Sequence, residues 1–102
     1  MYTQFMGTSR KPNLVFRVHA IRRMFERRIR VSDVEEALRC GETIEEYPDD
    51  TPCPSHLVMG WISSRPLHIV VAENTDNSEK IVVTVYDPDP DLWSDDYRRR
   101  LS

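Results

Sequence analysis

The apolar residues of this chain change their period at Gly41, and that change restricts the fold more than any other feature. Before it, Val18, Ile21, Phe25 and Ile29 recur at three- and four-residue steps, the spacing of one face of an α-helix. After it, "HLVMGWI", "LHIVVAEN" and "KIVVTVY" are short runs rich in branched residues. They are separated by "SSRP" and "TDNS" and read as strands joined by tight turns. Helices followed by closely linked strands imply an α+β domain. The expected architecture is two N-terminal helices packed on a three- to four-stranded antiparallel sheet.

Finer boundaries follow from the same patterns. Residues 1–12 have no periodicity and are expected to form a loose arm, followed by a single domain over 13–98 and a tail over 99–102. A short extended piece, "NLVFR", leads into the first helix. The four apolar residues of that helix fall within about 80° of one another at 100° per residue and define its expected buried face. Ser32 and Glu35 match an S-x-x-E capping box that should start the second helix. Val34, Ala37 and Leu38 give it an apolar side, and Gly41 is its expected stop. "ETIEEY" reads as an edge strand and "PDDTPCPS" as a loop. The segment "DPDPDLWSDDYRRRLS" is too proline-rich to continue the sheet; Trp93 and Tyr97 are expected to pin it back, in a last helical turn.

With 102 residues there is room for one core and no second domain. No apolar run approaches the roughly 18 residues of a membrane span, and "MYTQFMGTSRKP" lacks the apolar segment of a secretory signal. A cytoplasmic protein without a membrane partner is expected. Cys40 and Cys53 form no CxxC pair and read as free thiols. Cys53 and His56 in "CPSH" lack two further ligands at workable spacing, so no metal or other cofactor is expected. Phosphate-binding glycine loops, a GxSxG elbow and an HExxH pair are absent from the sequence.

The net charge of −3 conceals a segregation. Residues 10–30 hold eight basic side chains (Arg10, Lys11, Arg17, Arg22, Arg23, Arg27, Arg28, Arg30) against the single acid Glu26, a net +7. The chain from residue 31 onward carries six basic and sixteen acidic residues, a net −10. A basic segment of this kind suits an anionic partner such as nucleic acid. The acidic remainder would satisfy it equally, within one molecule or across a homodimer.

Within that segment His19, Arg23 and Arg27 fall on one helical sector opposite the apolar one, together with Glu26 and Arg30. Guanidinium groups one turn apart can grip successive phosphate oxygens; the competing reading of the same stripe is a solvated face. On the strand "LHIVV", Leu67, Ile69 and Val71 share one face, and His68, Val70 and Ala72 the other. A histidine there can move a proton near neutral pH, or serve as a hydrogen-bonded sheet residue. Tyr86, closing the last strand, can position a phosphate, stack on a base, or close the core. Arg65, before Pro66, reads as an exposed turn residue, and Trp61 and Trp93 as packing residues.

The segments "HAIRRMFERRI", "SDVEEALRCGETIEEYPDD", "PSHLVMGW", "RPLHIVVA" and "TVYDPDPDLW" together resemble the prokaryotic domain of unknown function 4258, over roughly residues 17–98. In element order that family is similar to the RelE/ParE-like toxins, two-layer α+β proteins encoded beside antitoxins. The resemblance implies a toxin-like, metal-independent endoribonuclease acting by attack of an RNA 2′-hydroxyl on the neighbouring phosphate. By motif it points to His19, Arg23, Arg27, Arg65, His68 and Tyr86; all but Arg65 form the expected catalytic set, and Arg65, with Arg22 and Arg30 of the basic segment, is expected on RNA phosphate. One histidine would be the base and the other the acid, with the arginines stabilising charge on phosphate. An antitoxin would be the protein partner. Two positions depart from the expected pattern: Val18 stands where a hydroxyl residue would cap the helix, and Arg28 where a small residue is usual. The alternative function is a non-catalytic module that binds nucleic acid or protein through the basic first helix.

Overall fold

A computed structural model describes residues 13–101; the arm expected over residues 1–12 lies outside the described residues. The elements run β1 (Asn13–Phe16), α1 (Val18–Glu26), α2 (Val31–Cys40), β2 (Glu42–Tyr47), β3 (Ser55–Ile62), β4 (Arg65–Asn74) and β5 (Glu79–Tyr86). The strands form one sheet in the order β1-β5-β4-β3-β2, antiparallel except that β1 runs parallel to β5. The expected α+β class holds, with two helices preceding the four antiparallel strands β2 to β5. The sheet has five strands because the short "NLVF" piece joins it, Asn13 lying opposite Glu79 and Phe16 opposite Val82.

The alternation read along β4 is the organising fact of the sheet. Leu67, Ile69 and Val71 face the helices and pack with Val58, Val82, Val85, Ala20, Met24, Ile29, Val34 and Ala37. The intervening His68 and Ala72 belong to the second face. α2 lies over β3 at unusually close range. A Cβ on Gly60 would stand 2.6 Å from the Ala37 carbonyl oxygen and 2.8 Å from its Cβ, so only hydrogen fits. Gly41 is small for a related reason: a Cβ there would meet the same Ala37 oxygen at 2.5 Å.

α2 begins before the expected capping box. Arg30 is its N-cap, and the Asp33 carboxylate, not Glu35, accepts the Arg30 backbone N–H at 2.9 Å. An acid at the third helical position also suits the positive end of the helix dipole.

The buried face of α1 is not the one its spacing suggests. Ala20 and Met24 face the sheet, whereas Val18, Ile21 and Phe25 are 71%, 52% and 86% exposed; of the four expected core residues only Ile29 is buried. Two local structures explain this. Arg17 stays extended, with its N–H on the Val82 carbonyl at 3.0 Å, so the strand delivers the helix with Ala20 turned inward. At the other end Arg28 has φ +58°, Arg28 N–H bonds Phe25 O at 3.3 Å, and Ile29 N–H bonds Met24 O at 2.8 Å. This pair of bonds around a left-handed residue is a Schellman termination, completed by the buried Met24 and Ile29. Ile29 therefore reaches the core through the turn and not through helical phase.

Arg28 is a non-glycine residue in the left-handed region, where the side chain costs about 1 kcal/mol. Arg28→Gly is expected to raise stability by about 1 kcal/mol, read as a higher urea midpoint with an unchanged slope. An unchanged or lower midpoint would contradict the termination described.

Residues 88–101 form no helix beyond a single uncontinued turn, in which the Leu92 and Trp93 N–H groups bond the Asp89 carbonyl at 3.0 and 3.2 Å. They fold back as turns with one isolated bridge between Trp93 and Arg100, and Trp93 is buried, as its pinning role requires.

Candidate functional site

The arginines and histidines picked out in the sequence fall in three separate places. His19 and Arg22 are exposed on α1, among the outward-facing Val18, Ile21 and Phe25. Arg30 is also exposed, its side chain 3.6 Å from Asp33. Arg23 is half-buried on the flank of α1. The outer surface of the helix is therefore an apolar strip bordered by cations.

Arg27 and Arg65 meet at the second place, on a partner the sequence reading missed. β4 begins where β5 ends, so Arg65 lies beside Asp87. Arg65 donates through Nε to Asp87 Oδ1 at 2.8 Å and through Nη2 to Oδ2 at 3.0 Å, a two-pronged pair. Arg27 adds Nη1 to Oδ2 at 3.1 Å, and Arg65 Nη1 also bonds the Arg27 carbonyl at 3.1 Å. Arg65 is thus a half-buried strand residue and not an exposed turn residue. Its hydrogen bonds hold the Asp87 carboxyl below the usual carboxylate range, with Arg27 acting in the same direction, while Asp87 raises the Arg65 guanidinium. The cluster ties α1 to the end of the sheet and leaves these two guanidinium groups already engaged with a carboxylate.

Asp87→Asn tests that tie. Each side chain keeps about a third of its surface in water, so screening limits the expected loss to about 1–2 kcal/mol at neutral pH. The depressed carboxyl contributes stability that is present above its unfolded value near 4 and is lost as pH falls through the lower folded value. Urea midpoints of wild type and Asp87→Asn should therefore converge in acid; a constant gap at all pH values would contradict the ion-pair origin.

His68 and Tyr86 occupy the third place. They are opposite one another on β4 and β5, on the face away from the helices, with rings 5.4 Å apart at 70°. His68 is fully buried, 4.5 Å from the Trp93 ring, and its Nε2 lies 2.9 Å from the Tyr97 carbonyl. Donating that bond makes the neutral ring an Nε2–H tautomer. Nδ1 is buried without a partner. Burial lowers the His68 pKa and raises that of Tyr86. His19, on α1, is on the other side of the sheet. The two histidines proposed as an acid–base pair do not share a cleft.

A cleft of about 530 Å³ lies at the opposite end of the sheet from Asp87, between Thr43, Glu46, His56, Glu73 and Lys80. His56 Nδ1 stands 3.5 Å from Glu73 Oε2 there, and none of the site residues chosen from the sequence lines it. Cys40 and Cys53 are both free thiols. Among the described residues no helix is long and apolar enough to cross a membrane.

Fold and surface define a small α+β domain that presents a basic helix with an outward apolar strip. The chain belongs to the family described as Domain of unknown function (DUF4258), whose model matches residues 16–87. The match ends at Asp87, short of the region around Trp93 that the sequence resemblance included. No curated protein and no solved structure matches the chain.

Proposed function

We propose that this protein is a binding module that docks an acidic segment of another protein on the outer face of α1. One observation carries the reading: Val18, Ile21 and Phe25, spaced for one helical face, are exposed in the midst of Arg17, Arg22 and Arg28. A large aromatic at 86% exposure contributes nothing to the core, and an apolar strip with a charged rim is the composition of a protein interface. The rim charge selects an acidic partner. Phosphate backbones would use the arginines but leave the apolar strip unpaired, which favours protein over nucleic acid.

A toxin-like role, expected from the family resemblance read in the sequence alone, would make that partner an antitoxin. The endoribonuclease reading has less support. It needs a base and an acid at one phosphate, whereas His19 and His68 are separated by the sheet and His68 is covered.

Selection from a random-peptide library against the immobilised protein, with a random RNA pool in parallel, tests the proposal. The expected winners are peptides with two or more acidic residues and apolar side chains one helical turn apart, lost on Phe25→Glu. Failure to enrich peptides, winners indifferent to Phe25→Glu, or a dominant RNA response with a steep salt dependence would overturn it. Incubation of mixed-sequence RNA in excess EDTA completes the test. Cleavage abolished by His68→Ala would favour the enzyme instead.

A further inference from the structure

The second face of the sheet is closed by a strap of chain, residues 89–101, that begins beyond the family-matched span. Its attachments are of two kinds. Ion pairs hold its end: Arg98 Nε to Glu42 Oε1 at 2.5 Å, and Arg100 Nε and Nη2 to Glu45 at 2.8 and 3.2 Å. These are exposed or partly exposed contacts of modest strength. The second attachment is internal. Trp93 is buried against His68, with the Arg100 guanidinium 4.8 Å above its ring, and Tyr97 aims its carbonyl at His68 Nε2 while its ring meets Trp61 edge-on.

Two features of the internal attachment are costly. Tyr97 has φ +61°, a left-handed conformation that a bulky residue adopts only under constraint. His68 Nδ1 is buried with no partner, so a proton added there is a donor without an acceptor. The groups facing His68 do not supply one. β5 offers Tyr86 and β3 offers Met59. β2 contributes the charge of Glu45, already bound by Arg100 and Tyr47, and the strap contributes Trp93, the Tyr97 carbonyl and the cation Arg100.

We propose that the strap is a detachable cover over the second sheet face, released when His68 Nδ1 takes up a proton. Release frees Tyr97 from its left-handed conformation and bares His68, Tyr86, Leu57 and Met59, an apolar and aromatic patch on the face opposite α1. The sign of the pH effect follows from burial, which holds His68 below its ordinary value. A group of this kind favours the closed form above about pH 6.5 and loses that preference as pH falls through the lowered value. Glu45 is held low by its Arg100 contact and stays charged in that range, so the ion pairs at the strap end are not the trigger.

The chain's two tryptophans make the test direct. With 5-fluorotryptophan, the ¹⁹F resonance of Trp93 is expected to move to the position of a solvent-exposed indole below pH 6.5, while far-ultraviolet circular dichroism shows the sheet intact. The ring carbon shifts of His68 should titrate with the same midpoint. In His68→Phe the Trp93 resonance should not move over that range. A Trp93 resonance that stays fixed until the sheet melts would overturn the proposal. So would a midpoint different from that of the His68 ring, or the same transition in His68→Phe. Because the His68 ring titration is read on the wild-type chain, the comparison stands even if the Phe variant fails to fold.

Discussion

Gly60→Val is expected to cost about 3 kcal/mol or more, lowering the melting temperature by roughly 12 °C or more for a domain of this size. The reason is geometric. The first atom of any side chain at position 60 would sit 2.6 Å from the Ala37 carbonyl oxygen and 2.8 Å from its Cβ. Neither atom is the far end of a flexible side chain, so relief requires moving α2 away from β3. That movement pulls Val34 and Ala37, both fully buried, out of their packing with Val58 and Ile69. Gly60→Ala should show a smaller loss in the same direction. Thermal melts of both variants decide the point; near wild-type stability for Gly60→Val would mean that α2 is not seated where the structure places it.

Phe25→Glu is expected to have the opposite profile: unchanged stability and a loss of partner binding on the order of 100-fold. At 86% exposure the ring makes little contribution to folding, and surface substitutions of this kind usually fall within about 0.5 kcal/mol. In an interface an aromatic anchor commonly contributes 2 kcal/mol or more, and a carboxylate facing an acidic partner adds repulsion. Arg22→Ala should weaken binding less and should reduce its salt dependence, as expected for a rim charge. Affinity of a selected acidic peptide, measured beside the urea midpoint, separates the two effects. Loss of stability in Phe25→Glu would place the ring in the core and remove the basis for the docking surface.

The fold was legible because periodicity is a local property and the core obeys it. The alternation Leu67, Ile69, Val71 against His68 and Ala72 gave both sheet faces correctly, and the change at Gly41 separated helices from strands. What escaped was set by contacts distant in sequence or by a single backbone torsion. β1 is a four-residue strand whose Leu14, Val15 and Phe16 are all apolar, so its alternating burial is recognisable only through pairing with β5 more than sixty residues later. The rotation of α1 depends on its entry at Arg17 and on the left-handed Arg28, which lets Ile29 mimic helical phase. Arg65 and Asp87 are 22 residues apart. Their pairing follows once Arg65 opens β4 and Asp87 directly follows β5, so strand register was the available signal. Helical phase and motif resemblance single out the candidate residues without placing them relative to one another, and the sheet divides them: arginines and His19 on the helix side, His68 and Tyr86 beneath the strap.

In the proposed function the outward face of α1 is the surface that meets another protein. Amide shift mapping of the ¹⁵N-labelled chain with an acidic peptide from the selection examines that face residue by residue. The predicted result is a contiguous set of perturbed amides over residues 17–28, with the cleft around His56 and Glu73 and the strap residues unmoved. Perturbations centred on that cleft or on the strap, with α1 silent, would contradict the account and move the binding site to the other end or the other face of the sheet.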